Sequence, residues 1–314
     1  MTLTRRTLCR AAAAAFVAGC GTGTYRGPGQ RITIAGGQPD GVYIEVAHLL
    51  AEEINRVEPG LHCKAKETRG SVENVELIGS GDADLAICQA DVALSAVKGT
   101  DPFTSALPIA GIGRMYEDYL QVVVLKDSDL WSVADLAGRR VSIGARRSGA
   151  VLTAKRLMRT AGIEVFERFD PLKKAAAALH LRNVDAVVWS GGVPTSPLVT
   201  LNKEVGIRLL PLAPTLLTAL RDRYGLAYQR VNIPAGVYGE SGTQTIGMAN
   251  FLLCRRSLPD DVVAAITGVL VERADRLVPK DSLSTQFLDP PAVIYLLGVP
   301  KHRGAETAYQ RLHG

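Results

Sequence analysis

The chain has 314 residues and a formal net charge of +5, with 36 lysines and arginines against 31 aspartates and glutamates. A chain of this length forms about two domains and buries most of its apolar surface without a disulfide or metal staple. Because 47% of the residues are hydrophobic and 21% are charged, it is neither a disordered chain nor a membrane-embedded bundle. No basic run is interleaved with aromatic rings, so we expect no nucleic-acid partner.

The first twenty residues have the pattern of an export signal. A basic segment precedes an apolar stretch over residues 8–18, and small residues stand directly before Cys20. This order is typical of a secretory signal and not of a membrane span. The Val17-Ala-Gly-Cys20 ending resembles a bacterial lipobox, which predicts a signal peptide over 1–19 and a lipid on Cys20. The alternative is an ordinary cleaved signal with a coincidental cysteine, and the export route, general secretory or twin-arginine, stays open.

The segment after the lipobox is rich in glycine and predicts a flexible tether over 20–30. The protein is therefore expected to be exported and lipid-anchored on the extracytoplasmic face of a bacterial membrane. Three cysteines remain beyond the anchor, Cys63, Cys88 and Cys254, and none has the spacing of a metal site. Cys63 and Cys88 fall in predicted strands, where a lone cysteine acts as a small apolar residue.

Strand and helix patterns alternate from residue 31 onward. The first set comprises strands at 31–35, 61–66 and 83–88, and helices at 42–57 and from Ser71, which we expect to be an N-cap. The second set comprises strands at 120–125, 140–144, 164–169 and 183–190, with helices at 149–161 and from Pro171 as the first helical residue. Ser132 and Asp135 have the spacing of a capping box. A last, long helix is predicted over 259–278.

Two similar sets of this kind predict an α/β fold with two lobes, each a parallel or mixed sheet flanked by helices. We expect lobe I over 31–118, lobe II over 119–255, and a return of 256–314 to lobe I. In open parallel sheets, ligands bind beyond the carboxyl ends of the strands, where helices begin. These positions here are rich in glycine and small polar residues, and they comprise residues 36–43, 68–74, 89–91, 144–149 and 190–195.

The segment Ala145-Arg-Arg-Ser-Gly149 is the strongest of these candidates. A helix N-terminus offers unpaired N–H groups and a positive dipole, and an arginine adds a planar fork suited to a carboxylate. We expect Arg147 or Arg146 to hold a ligand carboxylate; the alternative is that both are solvated loop charges. Trp189 either walls the cleft or belongs to the core.

Enzymatic chemistry finds no support in the motifs. The sequence contains no G-x-S-x-G elbow, no Walker loop and no pair of histidines at metal-ligand spacing. We therefore expect a binding protein with no catalytic residue, no metal and no cofactor.

Five segments occur in an order that resembles a known family: Gly36-Gly-Gln-Pro-Asp-Gly-Val-Tyr43, Arg69-Gly-Ser-Val-Glu-Asn74, Gly81-Asp-Ala-Asp-Leu-Ala-Ile-Cys-Gln-Ala-Asp91, Val141-Ser-Ile-Gly144 with Ser148-Gly149, and Trp189-Ser-Gly-Gly-Val-Pro-Thr195. This arrangement is similar to the TAXI family of solute-binding proteins, the receptors of one branch of TRAP transporters. The first loop and the Arg146-Arg147 pair depart from the family pattern.

The resemblance implies a two-lobed periplasmic-binding-protein fold of type II that closes on a small organic anion or amino acid, glutamate-like or a 2-oxoacid. The implied partners are TRAP permease subunits in the membrane. Together with the residue arguments it gives these candidate ligand-binding residues: Gln38, Tyr43, Ser71, Asn74, Gln89, Arg147, Ser148, Trp189, Gly192 and Pro194. Two alternatives stay open, a ligand sensor that feeds a membrane histidine kinase and a surface hydrolase on a similar scaffold.

Overall fold

The computed structural model describes residues 25–39, 41–239, 241–280, 283, 286–287 and 290–313. The predicted signal peptide, Cys20, the start of the tether and Asp40 of the first loop lie outside these residues. Among the described residues, no helix combines the length and the apolar character that crossing a membrane requires.

Within the described ranges, ten strands form one hydrogen-bonded sheet. In chain order they are β1 (Gln30–Ala35), β2 (Leu61–Lys66), β3 (Leu85–Gln89), β4 (Ile109–Leu125), β5 (Arg140–Ser142), β6 (Phe166–Arg168), β7 (Ala186–Gly191), β8 (Ile207–Leu209), β9 (Gln229–Ile233) and β10 (Thr243–Arg255). The spatial order is β2-β1-β3-β10-β4-β7-β5-β6, with β8 on β4 and β9 on β10.

Helices connect the strands and cover both faces of the sheet. They are α1 (Val42–Val57), α2 (Ser71–Ser80), α3 (Ala90–Lys98), α4 (Gly149–Ala161), α5 (Leu172–His180), α6 (Ser196–Val205), α7 (Pro214–Tyr224), α8 (Asp260–Glu272), α9 (Pro290–Val293) and α10 (Arg303–His313), with 3-10 turns at Val133–Leu136 and Ala274–Arg276.

The sheet consists of two halves that share two long strands. Strands β1, β2 and β3 are mutually parallel in one half, which we call lobe I, and β5, β6 and β7 are parallel in the other, lobe II. Strands β4 and β10 run antiparallel to each other and to their neighbours, and they pass from one lobe into the other. The predicted two-lobed α/β class is confirmed, and the two expected sheets are joined through these strands. The predicted boundary at 118/119 falls inside β4, and the lobe bounds stay predictions.

Apolar clusters lie on each face of each half, so both lobes are three-layered. Helix α1 illustrates how the pattern produces this packing, because its residues at helical spacing, Val46, Leu50, Ile54 and Val57, are all buried. The bounds of α1, β2 and α4 coincide with those predicted.

Some local predictions were wrong. Ser71 is the first residue of α2, and Gly70 precedes it as the cap with φ of 123°. Pro171 is the cap of α5 and not its first residue. The long C-terminal helix ends at Glu272, and α10, which packs on α8, was not predicted. The capping box of Ser132 and Asp135 is confirmed.

Candidate ligand-binding site

A small cavity lies at the junction of the lobes, beyond the carboxyl ends of β3 and β7. Its volume is about 40 Å³, which leaves room for a few water-sized groups, since one water needs about 10–15 Å³. Lobe I, lobe II and the shared strand β4 all contribute to its wall, through Gly37, Gln38, Gly41, Val42, Tyr43, Arg69, Gly70, Ser71, Gln89, Asp118, Ser148, Gly149, Ala150, Trp189, Ser190, Gly191, Gly192 and Thr195.

Four helices begin at this cavity: α1, α2, α4 and α6. The first N–H groups of a helix have no partner within the helix, and together with the dipole they favour an anion or an acceptor atom. Ser148 caps α4, where its Oγ accepts a hydrogen bond from Val151 N at 3.4 Å. Gly70 stands where α2 meets α4, and a Cβ there would lie 3.3 Å from Ser148 Cβ. Glycine thus lets the two N-termini approach each other.

Gln89, the last residue of β3, connects the lobes across the floor of the cavity. Its Nε2 donates to Asp118 Oδ2 at 3.1 Å and also contacts Ser190 Oγ of lobe II. Its backbone N–H donates to Ser71 Oγ at 3.1 Å, and Ser71 Oγ lies 3.1 Å from the hydroxyl of Tyr43. These side chains form one polar network, in which Ser71, Gln89, Asp118 and Ser190 are buried and Tyr43 is partly buried.

Asp118 is the buried carboxyl group of this network, and sequence reasoning missed it. The residue is 1% exposed, and burial raises its pKa from the ordinary 3.8 to about 7. The hydrogen bond from Gln89 acts in the opposite direction, as do the adjacent polar side chains of Asn250 and Tyr43, and Glu117 raises the value further. The available signal was an acidic pair inside an otherwise largely apolar strand.

Burial also raises the pKa of Tyr43 well above its ordinary value, and the nearby Asp118 adds to this effect. The Tyr43 hydroxyl donates to Asn250 Oδ1 of β10, and its ring meets that of Tyr116 edge-on at 6.2 Å between centroids. The phenol therefore stays protonated and serves as a fixed hydrogen-bonding group.

Seven of the predicted binding residues line the cavity, namely Gln38, Tyr43, Ser71, Gln89, Ser148, Trp189 and Gly192. Three others do not, namely Asn74, Arg147 and Pro194. Asn74 is fully buried below the wall, where its Nδ2 donates to the carbonyls of Ile87 at 2.8 Å and Ala35 at 3.3 Å. It positions the strand ends that carry the site.

The structure places Arg147, the predicted carboxylate-binding residue, outside the cavity wall. The Arg147 guanidinium pairs with Glu76 on the exposed side of α2, and its carbonyl accepts from Glu73 N at 3.1 Å. Arg146 stacks over the ring of Phe169, with 4.0 Å from Cζ to the ring centroid. Neither arginine lines the cavity, because both find partners on the surface of the closed lobes.

Further contacts between the lobes hold this closed arrangement. Gln38 Oε1 of lobe I accepts from Leu172 N of lobe II at 3.1 Å. Arg156 on α4 lies 3.4 Å from the buried carboxylate of Asp91 on α3, and the hydroxyl of Tyr228 donates to the same carboxylate at 2.7 Å. Closure therefore buries both polar and charged groups.

No histidine or cysteine is among the residues that line the cavity. Its serines are hydrogen-bonded to Tyr43, to Gln89 and to a helix N–H group, so none has a basic partner positioned to activate it. Within the described ranges, no cluster of three or more His, Cys, Asp or Glu side chains has the arrangement to hold a metal ion. The site is built from hydrogen-bonding groups suited to binding.

Comparison with known proteins agrees with this architecture. The sequence profile of the NMT1-like family matches residues 34–311. A protein from Bordetella bronchiseptica RB50 superimposes with a TM-score of 0.59 at 15% identity, covering 90% of this chain and 98% of that chain. A Xanthomonas citri protein bound to a chloride ion gives 0.52 at 12% identity, with 90% and 98% covered. A TctC solute binding protein from Polaromonas gives 0.50 at 14% identity, with 84% and 92% covered. These structures share the two-lobed fold.

Proposed function

Because the chain belongs to the NMT1-like family, we propose that it is an extracytoplasmic solute-binding protein whose lobes close on a small polar molecule. The observation that carries this proposal is the cavity between the lobes, which is walled by both of them and surrounded by four helix N-termini. Such a site binds by surrounding a solute with convergent polar groups, and hinge closure completes it.

The proposed solute class is a small organic acid or an amino acid. The N-termini of α2 and α4 lie on the cavity, where the helix dipole and the first N–H groups favour a carboxylate, and this role does not require an arginine. Ser71, Ser148 and Ser190 provide hydroxyl groups around the same space. The small volume favours a compact solute over a long-chain one.

The proposed setting is the outer face of a bacterial membrane, with the lipid on Cys20 as anchor, and the proposed partner is a TRAP-type permease. Both follow from the sequence pattern and from the resemblance to the TAXI family. A sensor kinase is the alternative partner. Solute uptake by cells with and without this protein separates the two: a loss of uptake on deletion supports transport, and unchanged uptake favours signalling.

Thermal unfolding of the purified protein against amino acids, 2-oxoacids and dicarboxylates tests the binding function. A solute at about 100 times its Kd stabilises the folded state by about 2.7 kcal/mol, which raises the Tm by several degrees. Small-angle scattering with and without that solute measures closure, and mass spectrometry checks that the solute is recovered unchanged. A folded protein that no compound stabilises would overturn the proposal, and a consumed solute would favour an enzyme.

A further inference from the structure

Two buried acceptor atoms of the cavity wall have no hydrogen-bond partner within the described part of the chain. Asp118 Oδ1 and Gln89 Oε1 are both inaccessible, and neither has a partner among the described residues. The second oxygen of Asp118 already accepts from Gln89 Nε2 at 3.1 Å, so the two side chains are adjacent. A buried acceptor without a partner is costly, so a bound donor group at this pair would be stabilised.

The negative charge of ionised Asp118 also has no cationic partner among the described residues. Its neighbours in the network, Gln89, Asn250 and Tyr43, are all neutral groups. Among the described residues that line the cavity, Arg69 is the one cationic side chain, and it is held by Glu73 at 2.9 and 3.0 Å in a half-exposed ion pair. A buried carboxylate normally has a cationic partner, and the described part of the chain provides none for this one.

Donor groups of the same wall indicate the other end of the solute. Trp189 Nε1 is buried without a partner among the described residues, and the N-terminal N–H groups of α2 and α4 lie on the same cavity. Acceptors that need a donor and donors that need an acceptor thus stand around one small space. An ammonium group with three N–H donors and a carboxylate with two oxygens satisfy both sets.

We propose that Asp118, together with Gln89 Oε1, receives the protonated amine of the solute, so that the protein selects amino acids over the corresponding 2-oxoacids. This inference rests on the proposed solute-binding function and narrows its substrate class. The ion pair forms only with a cationic solute, which makes Asp118 a specificity-determining residue. The carboxylate of the solute is then directed to the helix N-termini.

The test compares matched pairs of solutes by isothermal titration calorimetry: alanine with pyruvate, leucine with 4-methyl-2-oxopentanoate, and glutamate with 2-oxoglutarate. In wild-type protein, the amino acid of at least one pair is expected to bind ten times more tightly than its oxoacid. Asp118→Asn removes the charge with little change in volume. It is expected to weaken amino-acid binding about a hundredfold, as truncation of a buried charge pair does, and to alter oxoacid binding less than about threefold.

Asp135→Asn is the control, because it also removes one carboxylate charge, but from an exposed capping box that does not line this cavity. It is expected to leave both affinities unchanged. Oxoacids that bind as tightly as amino acids, or an Asp118→Asn protein with unchanged preference, would overturn the inference and leave the proposed function standing. Absence of binding by every compound to folded wild-type protein would overturn both.

A second readout needs no variant and covers the case in which Asp118→Asn does not fold. Burial holds the pKa of Asp118 at about 7, so near pH 6 the Asp118 carboxyl group of the unliganded protein is largely protonated. Other titratable groups around it are Tyr43 on α1 and Tyr116 and Glu117 on β4. Both phenols stay neutral because their pKa values are raised well above the ordinary range. Calorimetry at pH 6 in two buffers of different ionisation enthalpy is expected to show release of close to one proton with an amino acid and none with an oxoacid. Equal release with both would contradict the inference.

Discussion

Replacing Asp118 by asparagine is expected to stabilise the unliganded protein, and increasingly so as the pH rises. The pKa of Asp118 is about 7 in the folded protein against an ordinary 3.8, so the folded state holds a proton that the unfolded chain has already lost. Because the folded state binds more protons over this interval, stability falls as the pH rises towards 7. The neutral amide of the variant carries no such charge and escapes this loss.

The size of the effect follows from the shift. About three pH units at about 1.4 kcal/mol each correspond to a total of roughly 4 kcal/mol above pH 7. Part of this loss has already occurred at pH 5, so between pH 5 and pH 8 the contribution of Asp118 falls by roughly 2–3 kcal/mol. The free energy of unfolding of Asp118→Asn relative to wild type is therefore expected to rise by about that amount over the same range. A charge that costs this much stability is consistent with retention for function.

Urea unfolding followed by circular dichroism at pH 5, 6, 7 and 8 measures this difference, and all other titrating groups cancel between variant and wild type. Asp135→Asn is the control. Hydrogen bonds from the backbone N–H groups of Trp131 and Ser132 hold the pKa of Asp135 below its ordinary value, so it is ionised throughout this range. The change in the free energy of unfolding caused by Asp135→Asn is therefore expected to be the same at pH 5 and pH 8. An Asp118→Asn protein whose relative stability is equally flat would refute the argument from burial.

Arg147→Ala is expected to change the affinity for the tightest-binding solute less than about fivefold, because exposed ion pairs contribute about 1 kcal/mol or less, and a hundredfold loss in calorimetry would return Arg147 to the site. Gly149→Ala places a Cβ in steric conflict with Gln89 Oε1, which belongs to the other lobe. Because the conflict opposes closure of the lobes, the variant is expected to bind the solute at least ten times more weakly in calorimetry. Its radius of gyration with saturating solute, measured by small-angle scattering, is expected to be larger than that of wild type. Gly268→Ala, whose Cβ meets no atom within 4 Å, is its control and should change neither quantity. Asn74→Ala leaves the buried carbonyl of Ile87 without its donor. It is expected to lower the free energy of unfolding, measured in urea, by about 1–3 kcal/mol. An unchanged midpoint of urea unfolding would count against the positioning role of Asn74.

Much of the fold followed from local patterns. The bounds of α1, β2 and α4 were predicted because apolar spacing, helix-ending glycines and strand alternation are properties of short segments. The repetition of such units indicated two lobes, and the rule for parallel sheets indicated which loops would meet. Seven predicted residues therefore line the cavity, even though they come from distant parts of the chain.

The long strands were harder to predict. Strand β4 begins at Ile109, eleven residues before the predicted strand at 120–125, and its burial on both faces removes the alternation that marks an exposed strand. Strand β10 was not predicted, although it pairs with β3, β4 and β9 and joins the lobes. These strands are defined by what lies beside them, and that information is not local.

The chemistry of the site depends on contacts between distant parts of the chain. An arginine at a helix N-terminus suits an anion by residue type, but Arg147 has a surface partner in Glu76. An acidic pair within a strand is a weak signal by residue type, but Asp118 is hydrogen-bonded by a neutral amide and left with an oxygen that has no partner among the described residues. Local sequence established which segments reach the cleft, because backbone periodicity and loop position are properties of short stretches. Which charge faces the solute is a property of the folded chain, because desolvation and pairing depend on neighbours brought together from both lobes.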